Sequence, residues 1–404
     1  MKFSLKSLLG TVAFLVAAIM ITLCVMNFIS IPLPGGSVIL SARDYEVIRE
    51  LKKFISIRQY LTTYYYKEID PGVLEEGAIR GMMEALEDPY TVYMSKLDYE
   101  NFMVQTAGIY EGVGIVVVGG EDGYIQVVAP IEGTPGDRAG LKTADRIIKV
   151  DGKEVSADQL DQAVAMMKGP EGTEVVLTIL REGLPEPFDV KIIREEIRVA
   201  TVKSDILENS IGYVRIISFD EKTEDDFNVE IKKLQEKGIR GLILDLRGNP
   251  GGIMDEVVKI ADALMGEGLI VYTENRQGKR VEEFSDKEKL GLPLVVLVDE
   301  GSASASEILA GAVQDSGTGV LVGTTTFGKA LVQTVQRMND GSAIKMTTAQ
   351  YYTPKGKSIQ GKGIRPDYVV ELPEDAVIGE YKQGKDPQLA KAVELVKNEM
   401  DSDE

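Results

Sequence analysis

The spacing of apolar and polar positions changes repeatedly along the chain. Residues 8–29 are 22 positions without a charge, long enough at 1.5 Å per residue to cover about 33 Å, the core of a bilayer. Residues 31–41, with Pro32, Pro34, Gly35 and Gly36, read as a linker. At 42–65 and 72–86 the period is helical, with Val47, Ile48, Leu51 and Ile55 in one stripe whose bland reading is packing on the core. From about 106 to 194 short β runs take over, at 114–118, 124–129, 145–150 and 174–181, with helical patches at 137–141 and 157–168.

Beyond residue 195, apolar runs at 211–219, 241–246, 269–273, 294–298 and 319–323 alternate with helical stretches at 223–237, 254–265 and 304–314. Such alternation predicts βα units, hence an α/β fold with a mixed, largely parallel sheet covered by helices. Sites in open α/β sheets lie beyond the carboxyl ends of strands, where Asn249-Pro-Gly-Gly252 and the serine-rich turn around Ser304 fall. Residues 331–338 and 343–351 flank Asn339-Asp-Gly-Ser342, a hairpin by its turn chemistry, which puts Gln333 on a strand. The tail beyond Asp386 carries a helical stripe at Leu389, Ala392, Val393 and Val396.

Charge and composition narrow the possibilities. A formal charge of −19 over 404 residues argues against nucleic acid or anionic lipid as a partner. Lys2 and Lys6 precede the apolar run, so the positive-inside rule keeps the N-terminus cytoplasmic and sends the rest outside. No A-x-A cleavage pattern follows that run, which favours an uncleaved anchor over a signal peptide. The chain has no histidine, and its one cysteine, Cys24, lies in the apolar run. Ser-His-Asp and Cys-His catalysis and histidine-ligated metals are thereby excluded, and any activated hydroxyl needs Lys, Asp or Glu as its base.

Ser304 follows a predicted strand and opens a predicted helix, where unpaired N–H groups and the helix dipole can stabilise an oxyanion. Ser304-Ala-Ser-Glu307 equally fits a capping box, and Ser302 is a second candidate cap, so this stretch alone does not decide between cap and nucleophile. Lys329 is the candidate base, set between Phe327-Gly328 and Ala-Leu-Val. Apolar surroundings lower an ammonium pKa, and they need to, because only about one ordinary lysine in a thousand is neutral near pH 7.5. Gln333, four residues on, is placed to hold the amine by a hydrogen bond. A solvated surface lysine and a polar strand face are the bland alternatives for these two. Gly251 or Gly252 can bring a backbone N–H close to a substrate carbonyl.

Four segments in order, LILDLRGNPGG, GSASASEI, FGKALVQ and YYTPKGKSIQGKGIRPD, resemble the carboxyl-terminal processing peptidases, serine proteases with a Ser-Lys dyad, a supporting Gln and an embedded PDZ domain. GTPGDRAGLKTADRIIKVDG resembles the PDZ signature, with Gly136 and Ala144 where Ala and Gly are usual, and DPYTVYM resembles the segment joining the N-terminal helices to the core. The resemblance implies Ser304 as nucleophile, Lys329 as base, Gln333 orienting it, and the N–H groups of Gly251 and Ala305 as the oxyanion pair. It also implies a carboxylate-binding loop at Gly112, Val113, Gly114 and Ile115, whose following strand edge can accept a peptide. Ala330 departs from the family's usual Gly after the lysine.

The expected organisation is a cytoplasmic tip and transmembrane helix at 1–30, a linker at 31–41, helices at 42–105, a PDZ domain at 106–194, the peptidase core at 195–375 and a helical tail at 376–404. Helices at the two ends of such chains often build a homodimer. The expected protein is thus a single-pass bacterial membrane protease with its catalytic part extracytoplasmic, acting on proteins through their C-termini, with no metal or cofactor. The rival readings are an inactive peptidase fold kept for PDZ contacts and a Ser-Lys amidase or esterase.

Overall fold

The computed structural model describes Val12 and residues 14–18, 28–33 and 36–402. Most of the predicted membrane run, with Lys2, Lys6 and Cys24, lies outside these residues. Within the run, Val12 and residues 14–18 are helical, and Phe28 and Ile29 open a strand. Among the described residues no helix is long and apolar enough to cross a membrane.

The chain divides into two compact units, Met1–Glu87 and Asp88–Glu404. In the first, Phe28–Leu33 (β1) pairs antiparallel with Gly36–Ser41 (β2), so most of the predicted linker is paired strand; the β-branched Ile29, Ile31, Val38 and Ile39 favour strand despite Pro32. Two helices follow, Ala42–Tyr64 and Pro71–Glu84, the second capped by Asp70 accepting from Gly72 N–H at 2.8 Å. The stripe at Leu51 and Ile55 does not pack on a core: these side chains are 49% and 51% exposed. The side chains of Val47 and Ile48 lie outside the description.

The second unit begins with Val92–Met94 (β3) and the helix Lys96–Ala107, which opens on a Ser95/Asp98 capping box. A strand ribbon, Ile109–Gly112 (β4) with Glu195–Arg198 (β11), then brackets the PDZ-like segment. Between them Ile115–Gly119 (β5), Ile125–Pro130 (β6), Arg146–Val150 (β7), Lys153–Glu154 (β8), Glu174–Leu180 (β9) and Phe188–Ile193 (β10) form one antiparallel sheet in the order β10-β9-β7-β6-β5, with β8 on β7. Ile125, Val127, Ile147, Leu177 and Ile179 fill its core with the helix Leu160–Met167. β5 is an edge strand.

The largest core surrounds a six-stranded sheet of Val202–Ile206 (β12), Ile211–Ile216 (β13), Gly241–Asp245 (β14), Leu294–Val298 (β17), Val320–Gly323 (β18) and Tyr368–Val369 (β21), in the order β12-β13-β14-β17-β18-β21. All pairs are parallel except β12 with β13. Every residue of β14 and β17 is buried, as expected for strands covered on both faces. The helices Thr223–Glu236, Met254–Leu264 and Ala305–Ser316 contribute to the core on one face.

The helix Pro387–Ser402 covers the opposite face. Leu389, Ala392, Val393 and Val396 are buried there against Ile243, Val295 and Leu297. That stripe was expected to face a second copy; it is instead part of this chain's own core. Arg247, at the end of β14, fastens the helix by pairing with Asp245 (2.6 Å) and Asp386 (2.9 Å), all three side chains being buried.

The predicted strand at 269–273 does not join the parallel sheet. Gly268–Asn275 (β15) pairs antiparallel with Arg280–Ser285 (β16) and with Ala343–Tyr352 (β20), and Leu331–Arg337 (β19) completes a second sheet in the order β16-β15-β20-β19, with β3 beside β20. The register of β19 on β20 slips between Val332 and Gln333, a bulge of the kind that re-aims side chains.

Candidate active site

β14 and β17 are parallel neighbours, and the loops leaving their carboxyl ends are stitched together. Ser302 Oγ donates to Leu246 O at 2.8 Å, Ala303 N–H to Asn249 O at 3.0 Å, and Ser306 Oγ to Asn249 O at 3.0 Å. Ser302 therefore ties two loops together rather than capping the helix. Gly251 lies hard against the serine turn: a Cβ there would be 2.7 Å from Ala303 O and 2.8 Å from Ser304 Cβ. Only glycine fits at φ 99° in that space.

Ser304 occupies the strand-to-helix turn at φ 55° and ψ −114°, a strained conformation for a residue with a side chain. The half of the predicted capping box that matters here is its carboxylate. Glu307 is fully buried and accepts four hydrogen bonds: from Ser304 N–H (3.0 Å), Lys329 N–H (2.8 Å), Gly328 N–H (2.7 Å) and Thr326 Oγ (2.6 Å). Tyr351 ties the same two residues from the carbonyl side, its hydroxyl 3.0 Å from Ser304 O and 2.7 Å from Lys329 O. Burial pushes that phenol well above its usual range, so it stays a donor.

Ser304, Lys329, Gln333, Gly251 and Ala305 line one cleft of about 590 Å³. Lys329 is half-buried, with Nζ 4.4 Å from the centroid of the Tyr90 ring. Burial, and then the charge of Lys345, hold its pKa below the usual lysine range; Asp88 and Glu307 pull the other way. Ala330 is buried, is not among the residues at positive φ, and donates its N–H to Gln360 Oε1 at 2.7 Å. The methyl that departs from the family pattern is therefore accommodated without backbone strain.

Two expected contacts are absent in this conformation. Gln333, beside the register slip, donates to Leu331 O (3.1 Å) and Thr347 Oγ (3.5 Å), and not to the Lys329 amine. Gly251 N–H donates to Asn249 Oδ1 at 2.8 Å. Ala305 N–H, by contrast, has no acceptor among the described residues. Sequence reasoning overlooked Glu307 except as a cap, missed Tyr351 and Tyr90 as parts of the site, and placed Asn249 at the site without its bond to Gly251. Tyr351 and Tyr90 stand inside family-like segments, which was the only available signal.

The carboxylate-loop candidates Gly112, Val113, Gly114 and Ile115 lead into β5, and no acceptor among the described residues takes the N–H of Val113 or Gly114. Val113, Gly114 and Ile115 line a largely apolar groove of about 470 Å³ with Val164, Met167 and Lys168. Gln105, Ser218 and Asp220 line both this groove and the cleft that holds Ser304 and Lys329. Among the described residues no three of His, Cys, Asp and Glu converge as metal ligands.

Comparison with known proteins places this arrangement. The pattern of Peptidase family S41 matches residues 210–370, that of a PDZ domain residues 126–181, and that of the activating protease CtpB N-terminal domain residues 39–97. A carboxy-terminal-processing protease of Bartonella bacilliformis is 42% identical over 344 residues, 83% of this chain and 78% of the relative. The chain belongs to peptidase family S41, among the carboxy-terminal processing proteases. The carboxy-terminal processing protease CtpA of Bacillus subtilis is 38% identical over 89% of this chain and 77% of its own length. A solved Bacteroides fragilis structure assigned to the S41 proteases, 16% identical, superposes at a TM-score of 0.52 over 79% of this chain and 90% of its own, a likeness of fold. As an S41 protease the chain is a serine-type endopeptidase, and its PDZ domain fits peptide or protein substrates.

Proposed function

We propose that the chain is a membrane-anchored, extracytoplasmic endopeptidase that takes hold of substrate C-termini in its PDZ groove and cuts with a Ser304–Lys329 dyad. The observation that carries this reading is the Glu307 carboxylate, which joins the backbones of Ser304 and Lys329 in a cleft sharing a wall with the groove. Neutral Lys329 takes the proton of Ser304 Oγ as the oxygen adds to the peptide carbonyl. Ala305 N–H, joined by Gly251 N–H once released from Asn249, stabilises the oxyanion. The Lys329 ammonium returns its proton to the departing amine. Water then attacks the acyl-enzyme, Lys329 accepts its proton, and Ser304 is restored. Gln333 leaves its own strand to orient the amine.

Hydrolysis of an unfolded protein by the intact chain, lost in folded Ser304→Ala and in folded Lys329→Ala, tests this; activity within tenfold of the unaltered chain in either variant contradicts it. The anchor rests on the 22 uncharged positions 8–29 behind two lysines, and retention of the full chain in carbonate-washed membranes checks it. A homodimer through the N-terminal unit is supported by the exposed Leu51, Phe54, Ile55 and Leu61 of one helix. Leu51→Glu with Ile55→Glu then yields a smaller particle by light scattering.

A further inference from the structure

Lys329 is not the only lysine in the cleft. Lys345 also lines it, from near the start of β20. In the hairpin register Lys345 lies opposite Val335, and Thr347 opposite Gln333. Alternate residues of a strand share a face, so Gln333, Val335, Lys345 and Thr347 project to one side of the hairpin. On its other edge β20 pairs with β3, Lys345 opposite Val92 and Thr347 N–H donating to Thr91 Oγ at 3.1 Å. Tyr90, whose ring lies under the Lys329 amine, is two residues from Val92. The sheet face carrying Lys345 and Gln333 thus lines the same cleft as Lys329.

Among the described residues no carboxylate pairs with Lys345; its Nζ lies 5.6 Å from the centroid of the Phe102 ring. The groups facing Lys329 are Lys345 from β20, Asp88 and Tyr90 from the segment leading into β3, and Glu307 from the helix Ala305–Ser316. Both carboxylates are engaged elsewhere: Glu307 with its four donors, Asp88 with Thr91 Oγ (2.6 Å) and Tyr90 N–H (3.0 Å). Lys345 has no such partner, and a like charge beside a half-buried amine disfavours its protonation.

We infer that Lys345 is a positioning residue for the reaction, a fixed cation whose place on the cleft face keeps the Lys329 amine in its proton-accepting form. The inference rests on Lys329 being the base. Lys345 itself transfers no proton; every proton of the cycle passes between Ser304, Lys329, the leaving amine and water.

The test is the pH dependence of kcat/KM from pH 5.5 to 10 for the full chain, on a peptide without acidic residues so that no substrate carboxylate is lost as a partner. Lys345→Gln and Lys345→Met are expected to move the acidic limb upward by about half to one pH unit. The signature is a three- to tenfold loss near pH 7 that recovers to within about twofold on the alkaline plateau. Lys345→Arg, which keeps the charge, is expected to keep the original limb. An unmoved limb, or a loss of equal size at every pH, overturns the inference. Lys329→Ala measured alongside separates the two layers. If it is inactive at every pH while the Lys345 variants leave the limb in place, only the role of Lys345 fails. If it stays active, the base assignment fails and Lys345 with it.

Discussion

Ser304 holds its turn at φ 55°, in a region where only glycine is at ease, so the proposed nucleophile is kept under strain by the contacts around it. Removing the hydroxyl and removing the strain are separable. Ser304→Ala and Ser304→Gly are both expected to be inactive, and the glycine variant to be the more stable of the two by about 1 kcal/mol, read from urea midpoints. Equal midpoints would mean that the surrounding loops, not the residue, set the conformation. Glu307 poses the complementary case. Its two oxygens face four donors, so Glu307→Gln sets an NH₂ group against N–H or O–H groups and leaves hydrogens unmatched in a fully buried site. A loss of about 1–3 kcal/mol in stability and at least 100-fold in kcat/KM is expected; full activity would show that the two turns hold their places without it. Neither role was legible beforehand. Ser304 and Lys329 could be singled out because a chain without histidine leaves few bases, whereas Glu307 and Tyr351 act through contacts 22 and 47 positions away.

The central strands of the large sheet were the most legible elements in the sequence. β13, β14, β17 and β18 are short apolar runs between helices, a pattern with one physical solution. β16, Arg-Val-Glu-Glu-Phe-Ser, was missed because an edge strand with a solvated face carries charge. β15 was assigned to the parallel sheet because apolar periodicity says that a strand is buried, not which neighbour pairs with it. The helix Pro387–Ser402 shows the same limit: its stripe was visible, its partner was not. The PDZ segment carries a testable local conflict. Ala144 sits at φ 69° where glycine is usual in the signature, while a Cβ on Gly136 would lie 2.6 Å from Ile115 Cγ2. Ala144→Gly is expected to raise the melting midpoint of the chain's PDZ transition, by about 0.5–1 kcal/mol in stability, and Gly136→Ala to lower it. A lower midpoint for Ala144→Gly would mean that the alanine methyl packs better than its backbone suffers.

For the whole molecule the decisive relation is between the peptide groove and the cleft. The free N–H groups of Val113 and Gly114 suit a terminal carboxylate, and a charge-assisted hydrogen bond contributes about 1.5–3 kcal/mol. Amidating a substrate's C-terminus is therefore expected to lower kcat/KM by roughly 10- to 100-fold. A loss mainly in KM marks tethering; one mainly in kcat marks an effect on the dyad. Equal cleavage of acid and amide would leave the PDZ segment as scaffold. Gln105, Ser218 and Asp220, which belong to both concavities, carry a further consequence. A common wall gives the two sites a route to influence each other, and linkage makes any such influence symmetrical: whatever factor a ligand at one imposes on the other is returned unchanged. In the Ser304→Ala protein, a free-acid peptide too short to reach the cleft and a non-covalent inhibitor of the cleft should alter each other's dissociation constants by one and the same factor in calorimetry. A factor of one would show that the wall transmits nothing; any other value measures, in a single number and without turnover, how strongly holding a chain's end prepares the enzyme to cut it.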